Sequence, residues 1–184
     1  MNPLLTYFWP VFAVGLVCGL IAGVAGFRLK IVRPPDRPKE FEFVRPPTRQ
    51  RHAALMGGIA ASIVLAALWH GPLGAAGRFT SEVEGGARRA LNYYEMPKIS
   101  AHLHHSPLTR ALILSGPADD FQTSELARLL SQLPGVSDAQ WTNSRAGLPL
   151  IAEAAGLSIL GFLFGLLLAY LAELRRRYNA QWTW

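Results

Sequence analysis

The chain of 184 residues has a single cysteine, Cys18, and only 16% of its residues are charged, against roughly 25% in ordinary soluble domains. One cysteine excludes a disulfide framework and a cluster of thiolate metal ligands. No P-loop, Gly-x-Ser-x-Gly, His-Glu-x-x-His or Cys-x-x-Cys pattern occurs. The sequence thus carries no signature of phosphoryl transfer, acyl transfer, zinc proteolysis or thiol redox chemistry. No catalytic residue is assigned, and the chain is read as non-enzymatic. Acidic residues are too few to balance the basic ones, leaving a net charge of +6. Its placement is not that of a nucleic-acid footprint. Residues 28–52 hold eight basic and three acidic side chains, residues 71–147 hold seven of each, and Arg175, Arg176 and Arg177 lie close to the C-terminus. Nucleic acid is not an expected partner.

What the sequence has in quantity is apolar residues, 51% of the total, gathered in blocks. Leu148–Ala172 runs 25 residues with one charge, Glu153. As a helix it measures roughly 37 Å, more than the ~30 Å of bilayer hydrocarbon. Leu4–Phe27 has no charge, and Ala53–Trp69 is a shorter block of 17 residues. The first block follows only Met1-Asn2-Pro3, without a positive region or a small-residue cleavage site, so it reads as a retained helix. Tyr7, Phe8 and Trp9 are expected as an aromatic belt, with Trp69 marking an interface. The expected fold is a membrane protein of three transmembrane α-helices (4–27, 53–70 and 148–173) with a small α+β domain at 78–146. A basic, proline-rich loop at 28–52 and an Arg/Trp tail at 174–184 complete it. The positive-inside rule puts that loop and tail in the cytoplasm, and the N-terminus and the α+β domain in the periplasm of a bacterial inner membrane.

Glycines at four-residue spacing line one face of a helix and let a neighbouring backbone come close. Gly15, Gly19 and Gly23 do this in the first block, and Gly57, Gly161 and Gly165 are the corresponding packing candidates in the others. In the loop, Arg33-Pro34-Pro35 and Arg45-Pro46-Pro47 bracket Glu40–Val44, which alternates polar and apolar residues. That stretch reads either as a strand laid on a partner, or as part of a solvated linker whose basic residues meet anionic lipid headgroups.

Between the second and third blocks, Ser81-Glu82-Val83-Glu84 has the form of a capping box and predicts a helix over about 82–94, with Ser81 as N-cap. Residues 98–104 and 109–115 read as strands joined by a turn at Ser106-Pro107. Asp119 or Asp120 caps a helix carrying Leu126, Leu129, Leu130 and Leu133, and 136–141 is a third strand. The order is α-β-β-α-β, with an antiparallel or mixed sheet.

The stretch Leu112-Ile113-Leu114-Ser115-Gly116, the helix with Ala127, and Leu133-Pro134-Gly135-Val136-Ser137-Asp138-Ala139 together resemble the bacterial BON module. The likeness covers roughly a third of the chain. It implies an envelope module that binds phospholipid or protein without catalysis. BON modules usually occur on secreted or lipid-anchored chains, whereas here the segment lies between two apolar blocks.

Histidine supplies the remaining candidates. His102 and His104 share a strand face and are a candidate metal pair, though no third ligand can be named. His52 and His70 flank the second block about 27 Å apart, too far for one haem. Each is a candidate ligand for a haem or chlorophyll-type pigment shared with another subunit, or else an interfacial anchor. Glu153, the acid inside an apolar block, is a proton-relay candidate or a structural group near the helix N-terminus. Arg175, Arg176, Arg177, Trp182 and Trp184 are candidates for anchoring a partner, since Arg and Trp favour interface centres. The expected role is an accessory or scaffold subunit of a multi-protein inner-membrane complex, respiratory or photosynthetic. Its expected partners are other integral membrane subunits and lipid headgroups. The alternatives are an envelope-tethering module acting through the BON-like domain, and a haem- or pigment-ligating subunit.

Overall fold

The computed structural model describes residues 2–32, 42–141 and 147–182, without the side chains of Ile31, Glu42, Gln181 and Trp182. Arg33, Pro34, Pro35, Glu40, Phe41 and Trp184, all singled out above, lie outside the described residues. So does the side chain of Trp182.

The protein is mostly helical, with three helices long and apolar enough to cross a membrane. These are α1 (Pro3–Phe27), α2 (Thr48–His70) and α5 (Leu150–Trp182), the last qualifying over Leu150–Ala180. Two short strands, β1 (Lys30–Val32) and β2 (Glu42–Val44), pair antiparallel. The partner of the predicted strand is therefore the chain's own segment after α1. Helix α2 starts at Thr48, so Thr48–His52 is helical rather than loop: the start falls directly after Pro46-Pro47, which cannot continue inside a helix. Helix α5 likewise continues to Trp182, into the predicted tail.

The chain divides into two compact units. One comprises Met1–Pro10 and Ala67–Ala155, the other Val11–Ala66 and Gly156–Trp184. The first holds helices α3 (Ala75–Tyr93) and α4 (Asp120–Leu130) and strands β3 (Ser100–His105), β4 (Leu108–Ser115) and β5 (Asp138–Gln140). Its order is α-β-β-α-β and its sheet is mixed: β4 is central, antiparallel to β3 and parallel to β5. A parallel neighbour needs a crossover, which α4 supplies. Leu103, Leu112, Leu114, Leu126 and Leu130 form a dry core with Phe79, Val83 and Leu91 of α3.

The capping box at Ser81 does not form. Helix α3 starts seven residues earlier, after Gly74 in the left-handed region, and its first turn has no side-chain cap. The cause is an apolar stripe, Ala75, Phe79, Val83, Ala87 and Leu91, all buried, whose spacing carries the helix through Ser81. The Ser81 hydroxyl donates to the Arg78 carbonyl instead. At α4 the predicted cap is present: the Asp119 carboxylate accepts the Gln122 N–H at 2.7 Å, and the Gln122 side chain accepts the Asp119 N–H at 3.2 Å.

Two turns need glycine. Gly116 (φ 140°) follows β4, and a Cβ there would strike the Lys98 carbonyl oxygen; Gly135 (φ 102°) follows α4 and lies against Val83.

Candidate functional site: a glycine seam and an uncovered helix

In the second unit α1 and α5 meet through glycine. A Cβ added to Gly15 would fall on the Ser158 carbonyl, and one on Gly19 on the Phe162 carbonyl. From the other side, Gly161 lies on the Phe12 carbonyl and Gly165 on the Leu16 carbonyl. Gly23 continues the seam against Ala169 and Leu166. Each helix presents its bare backbone to the other's carbonyls, which no larger residue permits. Lipid tails are as apolar as leucine, so close packing of this kind, rather than burial from water, holds helices together in a membrane.

Helix α2 joins this unit by a different pair of faces. Gly58, Ser62 and Ala66 turn inward: Gly58 lies against Ala22 and the Phe162 ring, and Ser62 and Ala66 are buried. The Ser158 hydroxyl donates to the Ser62 carbonyl at 3.1 Å, a buried link between α2 and α5. Gly57, expected in the packing face, is one residue out of register; nothing lies within 4 Å of its added Cβ. The contact position is Gly58. Adjacent residues on a helix point about 100° apart, and a Gly-Gly pair does not show which one faces inward. Ser62 belongs to the small-residue face read in the second block, but the sequence reading did not single out its partner Ser158. Serine inside an apolar block was the available signal.

Of the C-terminal arginines assigned to partner anchoring, two act within the chain. Glu173, buried, holds Arg176 through Nε at 3.0 Å and lies 3.4 Å from Nε of Arg177. The same carboxylate accepts the Leu29 N–H at 3.3 Å, while Arg176 donates to the Leu29 carbonyl at 2.6 Å. This latch fixes the chain where it leaves α1. Arg175 is exposed.

The first unit holds every histidine but His52. His104 and His102 do not share a site. His104 Nδ1 is bonded to the Pro107 carbonyl at 2.8 Å, and His102 Nδ1 lies 3.9 Å from Glu84. A register shift between Leu103 and His105 brings His105 Nε2 to 3.4 Å from the same carboxylate. Glu84 also accepts the Leu103 N–H at 2.9 Å, so it staples α3 to β3 and does not close a capping box. Among the described residues no group of three or more His, Cys, Asp or Glu is placed to hold a metal. His70 Nδ1 is hydrogen-bonded to the Tyr7 hydroxyl at 2.5 Å, and the Trp69 indole donates to the Tyr7 carbonyl at 3.1 Å. Tyr7 is buried and packs on Phe79, while Trp9 is exposed, so the predicted aromatic belt divides. His52 is exposed in the second turn of α2. Glu153, in the first turn of α5, pairs with Arg110 of β4 at 3.1 Å, each about a quarter exposed. The sequence reading did not single out Arg110, whose place on β4 becomes meaningful only with the fold.

No family model matches this chain, and no curated protein or solved structure is similar to it.

Proposed function

We propose that the chain is a non-enzymatic accessory or scaffold subunit of a multi-protein bacterial inner-membrane complex, of respiratory or photosynthetic type. The observation that carries this reading is the coverage of α2. Within its span 11% is buried inside the protein, against 33% for α1 and for α5, although it is the least hydropathic of the three. Its outward side carries the small Ala53, Gly57 and Ala60 together with the larger Met56, Val64 and Leu68, on the face opposite Gly58, Ser62 and Ala66. Small residues facing acyl chains gain little, but facing another helix they allow the close approach already used at the α1–α5 seam. A neighbouring subunit's span on this face is the proposed partner. In this reading the basic segments at 28–52 and 174–184 are cytoplasmic and the α-β-β-α-β unit is periplasmic.

The test is purification of the tagged full chain in mild detergent, with mass spectrometry of co-purifying chains and an absorption spectrum of the same peak. Stoichiometric membrane partners are expected for the wild type, and their loss in Gly57→Leu. A lone wild-type protein sinks the proposal.

A second reading, an envelope-tethering module, is supported by unit one itself. Its element order and its left-handed Gly116 and Gly135 suit a BON-like domain, and it exposes Tyr93 (82%) and Phe121 (73%). Binding of the wild-type chain to phospholipid or cell-wall material, lost in Tyr93→Ala and Phe121→Ala, would favour it.

A further inference from the structure

The second unit has another surface that helix packing leaves unused. Two hollows share Leu29 and Pro46 in their lining. The smaller, about 220 Å³, is also lined by Arg45, Arg51 and Arg177 together with Phe27 and Tyr170. The larger, about 660 Å³, is lined by Arg28, Lys30 and Arg176 together with Val24 and Ala25. Leu29 is held from both of its backbone groups by the Glu173–Arg176 latch, so the shared wall is fixed before anything binds.

Among the described side chains the lining of both hollows is basic. Glu173 engages Arg176 and Arg177. Among the described residues no carboxylate pairs with Arg28, Lys30, Arg45 or Arg51. Guanidinium groups lining one place call for an anion with several oxygens, and phosphate matches their paired donors. Apart from Gln50 in the larger hollow, the remaining walls are largely apolar. Phe27 and Tyr170 pack edge to face at 6.0 Å, and Val24 and Tyr170 are about half exposed on helices long enough to cross a bilayer. A free phosphate ion has no use for such walls, whereas acyl chains do.

We infer that these two hollows seat the phosphodiester headgroup of an anionic phospholipid, with its acyl chains along Val24 of α1 and Tyr170 of α5. Leu29 divides the seat, and Arg28 after α1, Arg45 after β2, Arg51 of α2 and Arg176 and Arg177 of α5 surround it. The site rests on the reading of α1 and α5 as membrane spans.

The test uses the full chain reconstituted in phosphatidylcholine vesicles, with resistance to alkaline carbonate extraction as the check of insertion. The same protein in detergent is then offered phosphatidylglycerol and phosphatidylcholine in equal amount, and bound lipid is read by native mass spectrometry. Preferential retention of phosphatidylglycerol is expected. Arg45→Gln and Arg51→Gln should each weaken it about five-fold, the equivalent of the ~1 kcal/mol that a basic residue contributes near anionic lipid. Gly26→Leu should weaken it with every charge in place. Gly26 lines the smaller hollow and an added Cβ meets nothing within 4 Å, so the substitution adds apolar bulk at the seat and changes no charge. The exposed Arg49→Gln and Arg175→Gln should leave retention unchanged. Equal retention of the two lipids by the inserted wild type would overturn the inference. So would losses in the two exposed controls as large as those in Arg45→Gln and Arg51→Gln, since diffuse charge would then account for the preference. Displacement of the lipid by equimolar inorganic phosphate would show a free-phosphate site. Failure to insert would overturn the span reading itself, which the other outcomes leave standing.

Discussion

The two units of this protein solve the same problem with opposite materials. The α-β-β-α-β unit buries large side chains, Leu103, Leu112, Leu114 and Leu130, each nearly inaccessible to solvent. Its stability derives from removing apolar area from water, at roughly 25 cal/mol per Å². The helical unit turns large side chains such as Ile21, Leu163 and Phe164 outward, and closes instead through Gly15, Gly19, Gly161 and Gly165. In the proposed reading of these helices as membrane spans, the surroundings are as apolar as the protein, so size gives no advantage and proximity does. A leucine is thus a core residue in one unit and a misfit at the contact line of the other.

The sharpest way to break this contrast is Gly19→Leu. The obstruction is backbone of α5, which cannot rotate away as a side chain would. The cost should reach at least about 3 kcal/mol, the upper part of the overpacking range, and the α1–α5 pair should open. Titration with SDS in mixed micelles, followed by pulse proteolysis, reads this out. Gly57→Leu, an equal change facing open space, should shift the same midpoint by less than about 0.5 kcal/mol. Equal losses in the two variants would mean that the seam does not hold the helices. The converse test is Leu112→Ala, which should remove about 2–5 kcal/mol from the α-β-β-α-β unit. Hydrogen exchange under urea should show the loss in the β3 and β4 amides, while protection in the seam segment of α1 remains.

The same contrast governs what could be read from the sequence. Apolar length made the three long helices legible, and alternation with Pro-Gly turns made β3, β4 and α4 legible, because those signals are local. Gly15, Gly19 and Gly23 stand out because three glycines at one spacing define a face by themselves. Of the Gly57-Gly58 pair, Gly58 makes the contact within the chain, and only the position of Phe162 decides between them. Ser81 misled as a helix start. A capping box is a four-residue signal, and it lost to the five-residue stripe from Ala75 to Leu91 that buries a whole face of α3. The basic hollows were hardest to read. Their residues come from α1, β1, the Arg45-Pro46 link before α2, α2 and α5, far apart along the chain, and composition alone records them as a charged loop.

An intermediate effect is expected where polar groups are buried. Glu173→Ala removes the acceptor of the Leu29 N–H and the partner of Arg176 and Arg177. Leaving a buried donor without its acceptor costs about 1–3 kcal/mol. Arg176 and Arg177 are about a third exposed and recover part of their loss in water, which holds the total within that range. The SDS midpoint should fall by that amount. Glu173→Gln, which keeps an acceptor oxygen, should lose less.

The smallest effect separates the two capping signals. Asp119→Ala removes a carboxylate that accepts the Gln122 N–H at 2.7 Å and should cost about 1 kcal/mol, seen as lost amide protection in the first turn of α4. Ser81→Ala removes only a hydroxyl that donates to a carbonyl already inside a helix, and exchanges serine for the better helix former. It should be neutral or slightly stabilising. The sequence offers both sites as helix starts of similar form. The difference lies in what precedes them: extended backbone leads into Asp119, whereas Ala75–Thr80 already supplies Ser81 with the turn it would have had to begin. A loss at Ser81 equal to that at Asp119 would mean that the stripe on α3 does not hold its first turns in place.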